Sequence, residues 1–343
     1  MALPLTDELA TPAATLPSGV SLRPFAGDAD MPAFVDIFRA ANVADQIEER
    51  IAIEDVRNWL GYPSRSFDAS RDLVVAAGPG GVPVAYAWTN WADTSDGVRD
   101  YGTRGHVHPQ WRRQGVGTAL LRHNEAHIRE LAAEHDVETP RVYGAYAPER
   151  RPGAMALLEG NGYRPVRWFF DMLRPTLEDI VVPPLPEGLE LRPVSGRAQM
   201  RQLFDADVEA FRDHWGGFDA SDESFEQWLA DPDYKAAIFV VAWDGDEIAG
   251  AVINVILEQE NRELGMKRGL LDSVFTRRPW RGRGLAAALV GRSLQLLKER
   301  GMDSATLGVD ADNPNGALRL YEKAGFTVDV RSTGYRKALE VIP

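Results

Sequence analysis

Two short stretches set arginine beside glycine at the head of an apolar run. One is RRPWRGRGLAAAL, Arg277 to Leu289; the other is HPQWRRQGVGTAL, His108 to Leu120. Their shared core is Arg281-Gly282-Arg283-Gly284-Leu285-Ala286 in the later stretch and Arg112-Arg113-Gln114-Gly115-Val116-Gly117 in the earlier one. Each follows a strand-like run and opens a segment with helical spacing. The first N–H groups of a helix are unpaired and partly positive, and glycine lets an anion come close to the backbone. The chemistry this spacing offers is the binding of a phosphate or pyrophosphate. Upstream of the later loop, RGLLDSVFT carries one acid, Asp272. Alternation puts 270, 272 and 274 on one face, so the carboxyl lies between Leu270 and Val274. Partial desolvation there would raise its pKa toward that of a useful general base. Glu258 and Glu260, at the end of a hairpin, are rivals for that role.

Other chemistries fit less well. Gly282, Gly284 and Ala287 match a loose dinucleotide fingerprint, but the earlier loop has Arg113 where that pattern wants its first glycine. There is no GxxxxGK[ST] loop. His106, His108, His123 and His127 cluster in sequence, yet HNEAH is not HExxH and a solvated helix face accounts for it, so no metal site is expected. The chain contains no cysteine, which excludes a thiol nucleophile and thiolate metal sites.

The elements that hold the two loops also occur twice. PSGVSLRPF at Pro17 matches PEGLELRPV at Pro186, and at the same offset Trp59-Leu60 matches Trp228-Leu229 and Trp111 matches Trp280. NGYRP at Asn161 matches AGFTV at Ala324 with a slightly smaller offset. A chain of 343 residues suits about two domains of ~100–200 residues. The expected division is a flexible tail over 1–16, a first domain over 17–175, a proline-rich linker over 176–186 and a second domain over 187–343. In the second repeat the patterns predict a strand in LELRPV, a helix in AQMRQLFDADVEAF and a short helix in ESFEQWLADP. A hairpin is expected around Asp244-Gly245, then the strand RGLLDSVFT. Next come a helix stopped by Gly301, the strand SATLGVD, a helix in NPNGALRLYEKAG and one or two closing strands. That order predicts an α/β fold, a mixed sheet with helices on its faces.

Composition bounds the partners. Hydrophobic residues make up 44% and charged residues 26%, as in soluble globular proteins. The formal net charge of −13 repels nucleic acid and favours a cationic co-substrate. No signal peptide or membrane span is evident, so a cytoplasmic protein without membrane partners is expected. Oligomeric state is not legible.

The duplicated loop resembles the pyrophosphate signature of the GNAT acetyltransferase superfamily, and the resemblance covers both halves. It implies two tandem domains of that fold, each with a mixed, mostly antiparallel central sheet flanked by helices. It implies acetyl-CoA as co-substrate, held by both loops, with the strand Val274, Phe275 and Thr276 beside the pantetheine and Asn313 helping to bind. A tyrosine at the position of Tyr321 often protonates the departing thiolate in such enzymes. Its counterpart in the first repeat is Leu158, and that of Asp272 is Thr103, so the second domain is expected to be catalytic and the first not. The reaction implied is direct transfer of acetyl to a primary amine of a small molecule. His214 and Trp215, in FRDHWGGFD, would form a substrate-contacting loop. A non-catalytic acyl-CoA sensor is the alternative.

Overall fold

The structure is a computed structural model that describes residues 16–61, 64–213, 215, 220–235, 237–313 and 316–340. The tail expected over 1–16 therefore lies outside the described residues, apart from Leu16. The first repeat supplies β1 (Ser21–Pro24), α1 (Met31–Ala44), α2 (Ile53–Gly61), α3 (Ala69–Asp72), β2 (Leu73–Ala77), β3 (Pro83–Asp93), β4 (Arg99–Val107), α4 (Val116–Glu134), β5 (Arg141–Pro148), α5 (Pro152–Gly160) and β6 (Arg164–Arg174). The second supplies β7 (Glu190–Leu191), α6 (Gly196–Ala210), α7 (Asp222–Ala230), α8 (Pro232–Lys235), β8 (Ile238–Asp244), β9 (Glu247–Val255), α9 (Glu258–Leu264), β10 (Arg268–Thr276), α10 (Leu285–Glu299), β11 (Ser304–Asp310), α11 (Ala317–Lys323) and β12 (Thr327–Ala338).

Local chemistry sets most of these boundaries. The β8–β9 hairpin turns through Gly245 at φ 58°, and α10 stops at Gly301 at φ 85°, both left-handed conformations suited to glycine. Alternation along β8 sends Val240 and Ala242 toward α10 and Val241 and Trp243 toward α6, so one strand serves cores on both faces of the sheet. The strand expected over LELRPV shrinks to β7, two residues long, and the stretch after β9 folds as the unforeseen helix α9.

All the strands form one sheet in the order β1-β2-β3-β4-β5-β12-β6-β11-β10-β9-β8-β7. The order is symmetric about the β12–β6 junction, with each strand of one repeat facing its counterpart across it. Most neighbours are antiparallel; β4–β5 and β10–β11 are parallel. The two repeats exchange their last strands. β6 pairs with β11 of the second repeat, from Phe169 opposite Asp310 to Arg174 opposite Ala305. β12 pairs with β5 of the first, from Ser332 opposite Pro148 to Ala338 opposite Val142. The segment between the repeats is anchored along α10. Leu177 is buried and its N–H donates to the Asp303 carbonyl at 2.8 Å, Glu178 pairs with Lys298, and Gly291 lets the Val181–Val182 backbone lie against the helix.

Candidate active site

In the second repeat, β10 and β11 pair only from Arg268 to Leu270 and Ser304 to Thr306, then part. A cavity of about 750 Å³ opens where they diverge. β10 is also bulged: Leu271 pairs with Asn254 and Ser273 with Ile253, leaving Asp272 as the extra residue. The bulge overturns the alternation expected for this strand. Asp272 and Ser273 both reach toward the helices on the α6 side: Ser273 Oγ donates to Asp207 of α6 at 2.7 Å, and Tyr234 Oη of α8 donates to Asp272. Val274, expected on the face of Asp272, packs against the α10 core instead. In the first repeat β4 pairs with β3 without interruption, and Thr103 accepts a hydrogen bond from Asn124.

Asp272 lines the cavity and is exposed to it; the protein around the cavity desolvates the carboxyl and raises its pKa against the lowering effect of the Tyr234 hydrogen bond. Asp207 was not foreseen. Burial pushes it up to about 7, the Ser273 hydrogen bond opposes that, and the charge on Asp272 adds to it. The rival Glu258 is exposed and pairs with Arg262, and Glu260 accepts from the Arg50 N–H; neither lines the cavity. Tyr321, on α11, is 6% exposed, lines the cavity and packs edge-on to Phe326. Its hydroxyl makes no hydrogen bond among the described residues, and burial raises it to about 12.

The loop before α10 turns through Gly282 and Gly284 at φ 74° and 87°, and no side chain caps the helix. Its first N–H groups therefore face the cavity mouth, where Gly282, Gly284, Leu285, Ala286 and Asn313 are lining residues. The Leu285 side chain is core, leaving its backbone for the cavity. Arg281 donates Nε to the Thr276 carbonyl and Nη2 to the Ala210 carbonyl, tying the loop to α6. Arg283 turns outward, with Nη2 on the Glu187 carbonyl, and is not a lining residue. Val274, Phe275 and Thr276 line the cavity, with the Phe275 ring buried against α6.

The first repeat reproduces this loop without the chemistry around it. Arg113 and Gly115 take φ 62° and 89°, and α4 has no side-chain cap. Arg112 bonds the Val107 and Ala41 carbonyls as Arg281 bonds their counterparts, and also grips Asp45 at 2.6 and 2.9 Å. Arg151 holds the same carboxylate at 3.0 Å. Gln114 caps back onto the Gln110 carbonyl, Val116 is core and Gly117 packs beside Leu157. Phe38, at the position of Asp207, lies 4.9 Å from the His106 ring, which burial holds neutral down to about pH 3. Leu158 sits in the core where the second repeat has Tyr321.

His214 lies outside the described residues. Trp215 does not line the cavity. It stands beside Phe169, which does, with ring centroids 5.8 Å apart, while Arg336 stacks on it and Asp96 accepts its Nε1–H at 3.2 Å. Of the two histidines expected on a solvated helix face, His123 is exposed, whereas His127 pairs with the buried Asp72 at 2.7 Å. Among the described residues no group of three or more His, Asp or Glu side chains is placed to hold a metal, and no helix is long and apolar enough to cross a membrane.

Comparison with known proteins agrees with this geometry. The model of the acetyltransferase (GNAT) family matches residues 32–145 and again 200–326. A mycothiol acetyltransferase of Geodermatophilus obscurus is 28% identical over 90% of this chain and 95% of its own, and one of Salinispora arenicola is 32% identical over 68% and 72%. Among solved structures, a GCN5-related N-acetyltransferase of Sphaerobacter thermophilus aligns with a TM-score of 0.68 at 29% identity, covering 94% of this chain and 97% of that one. A tandem GNAT protein from the clavulanic acid biosynthesis pathway aligns at 0.70 and 18% identity, over 93% and 98%, a likeness of fold. The double match, the shared sheet and the glycine-turned loop at a bulged strand lead to one conclusion: this chain belongs to the GNAT acetyltransferase family, with two such domains in tandem.

Proposed function

We propose that the second repeat transfers acetyl from acetyl-CoA directly to a primary amine of a small molecule, while the first repeat is not catalytic. The observation that carries this reading is the meeting, at one cavity, of a glycine-turned helix entrance, the bulge residue Asp272 and the Tyr321 hydroxyl, which has no hydrogen-bond partner among the described residues. Acetyl-CoA supplies an activated thioester. The chain's own groups divide the remaining work. The N–H groups from Gly282 to Ala286 hold a pyrophosphate, and Arg281 keeps the loop in shape for them. The edge of β10 freed by the splay, Val274 to Thr276, offers main-chain groups to an extended amide-bearing arm. Asn313, at the cavity mouth, closes on the same ligand.

Asp272 receives the proton of the incoming ammonium, directly or through water, and so keeps the attacking amine neutral. Its desolvation brings its affinity for that proton closer to neutral pH. Tyr321 gives a proton to the sulfur that leaves. Its raised pKa keeps the phenol intact until that moment. Trp215, with His214 beside it in sequence, contributes through the wall formed with Phe169. The residues Arg112, Arg113, Gln114, Gly115, Val116 and Gly117 form a second loop suited to the same pyrophosphate. We expect binding there without turnover, because Leu158 and Phe38 have no proton to give or take and the Thr103 hydroxyl is no match for a carboxylate base.

The relatives named mycothiol acetyltransferases support a small-molecule acceptor. The test is release of CoA from acetyl-CoA with a panel of small amines. Turnover that depends on both the amine and Tyr321 supports the reading. Tight binding of acetyl-CoA with no turnover for any amine would favour the sensor instead.

A further inference from the structure

The cavity of the second repeat is walled in part by the first. The exchanged strand β6 brings Phe169 and Asp171, and β5 brings Tyr146. Asp171 lies opposite Gly308 of β11, and its Oδ1 stands 4.0 Å from where a Cβ on that glycine would be. The carboxylate therefore leans over a strand position that carries no side chain, on the face toward which Asp272 also projects. Two strand spacings, about 10 Å, separate β6 from β10, and the splay widens this. The Tyr146 and Phe169 rings are 5.7 Å apart beside it. Among the described residues no side chain bonds or ion-pairs with Asp171. Arg150, whose charge reaches it, is committed to Asp329 and to the Gln46 carbonyl. Arg104 lies 5.8 Å from the centroid of the Tyr146 ring. A carboxylate open to a cavity, with no ion pair among the described residues and with aromatic rings beside it, is a receptor for a positive group.

We propose that Asp171, Tyr146 and Phe169 form a cation subsite, and that the acceptor carries a second positively charged group besides the amine that is acetylated. This rests on the reading of the cavity as the site of acetyl transfer. The reacting nitrogen lies at Asp272, and the second cation lies across Gly308 at Asp171. A side chain at position 308 would intrude between the two. The first repeat thus sets acceptor choice without taking part in the chemistry, and the net charge of −13 draws such a ligand in.

The test uses the full chain with 1,5-diaminopentane and n-pentylamine. Turnover is followed by capture of released CoA with a thiol reagent, to which a chain without cysteine adds no background. Binding of both amines to the CoA-loaded protein is measured by calorimetry. The diamine should be favoured about tenfold or more in kcat/KM and in affinity, and Asp171→Asn should abolish that preference while leaving the KM for acetyl-CoA unchanged. Phe169→Leu should reduce it partway, by removing an aromatic face. Equal affinities in the wild type, or a preference that survives Asp171→Asn, overturns the subsite. If no CoA is released with either amine, the acetyl-transfer reading falls for amines of this size, and the calorimetric comparison still decides the subsite.

Discussion

In the proposed reaction Tyr321 holds a proton that it gives to the departing thiolate. Because burial raises its pKa to about 12, the phenol stays protonated throughout the neutral range and no basic limb of the rate profile should trace to it there. Tyr321→Phe keeps the ring packed on Phe326 and removes the hydroxyl alone. Turnover should fall by about 10²-fold or somewhat less, since the thiolate is a fair leaving group, with acetyl-CoA affinity nearly unchanged. The matched change Leu158→Ala should spare the kinetics but cost about 2–5 kcal/mol of stability, because that leucine is core. Calorimetry and steady-state rates separate the two outcomes. Asp207 and Asp272 are each raised mainly by burial; Ser273 lowers Asp207 and the charge on Asp272 raises it, while Tyr234 lowers Asp272 and Asp231 raises it. A carboxyl whose pKa is raised by folding contributes stability below its unfolded pKa and loses it as pH climbs through the folded value, for Asp207 about 7. Asp207→Asn should therefore flatten the decline in melting temperature between about pH 4 and 7. Because Asp207 is still protonated where Asp272 loses its proton, the same variant should leave the acidic limb of turnover nearly in place. Asp272→Asn should abolish that limb, and a limb left intact would place the base elsewhere. Sequence reading singles out Tyr321 and Asp272, which the structure brings to one cavity, but passes over Asp207, which sits among the apolar residues of α6. The signal was present in the duplication: at the same offset Asp207 falls on Phe38, an acid in a core slot.

The loop is the element both repeats keep, and its backbone form was legible because glycine at fixed spacing has few other uses. Its arginines were less so. Spacing suggested charges offered to a ligand, whereas Arg281 and Arg112 bond carbonyls at matching positions and brace the loop. Gly284→Glu should therefore weaken acetyl-CoA binding at the second site strongly, by charge and by strain at φ 87°, whereas Gly115→Glu should leave turnover unaltered. Calorimetric titration of both variants distinguishes the two sites. Arg113 occupies a left-handed position that Gly282 fills in the second loop, so Arg113→Gly should be neutral or stabilising by up to about 1 kcal/mol. The bulge at Asp272 escaped the sequence because an extra residue in a strand is defined by its partner's register, not by its own pattern.

At the scale of the molecule, the order of elements and the duplication were readable, and the crossing of β6 and β12 was not. A strand's alternation says which face is buried and nothing about which neighbour it will find. The crossing changes what a fragment can do. A piece ending near residue 175 has β6 without β11 or β12, and β5 loses its β12 partner. Each repeat expressed alone should aggregate or remain unfolded. The two expressed together should copurify and recover turnover, and the intact chain should unfold in one cooperative transition by calorimetry. Independent folding of either piece with native stability would contradict this.

The crossing also bears on dilution. Two separate chains that traded strands this way would build each pocket from both partners, and the pocket would come apart as the concentration fell below their dissociation constant. Here the partners are joined by a segment fixed along α10, so association is intramolecular and its effective concentration does not depend on how many molecules are in the tube. Specific activity should stay constant from micromolar to picomolar protein, at concentrations where a strand-trading dimer would have fallen silent.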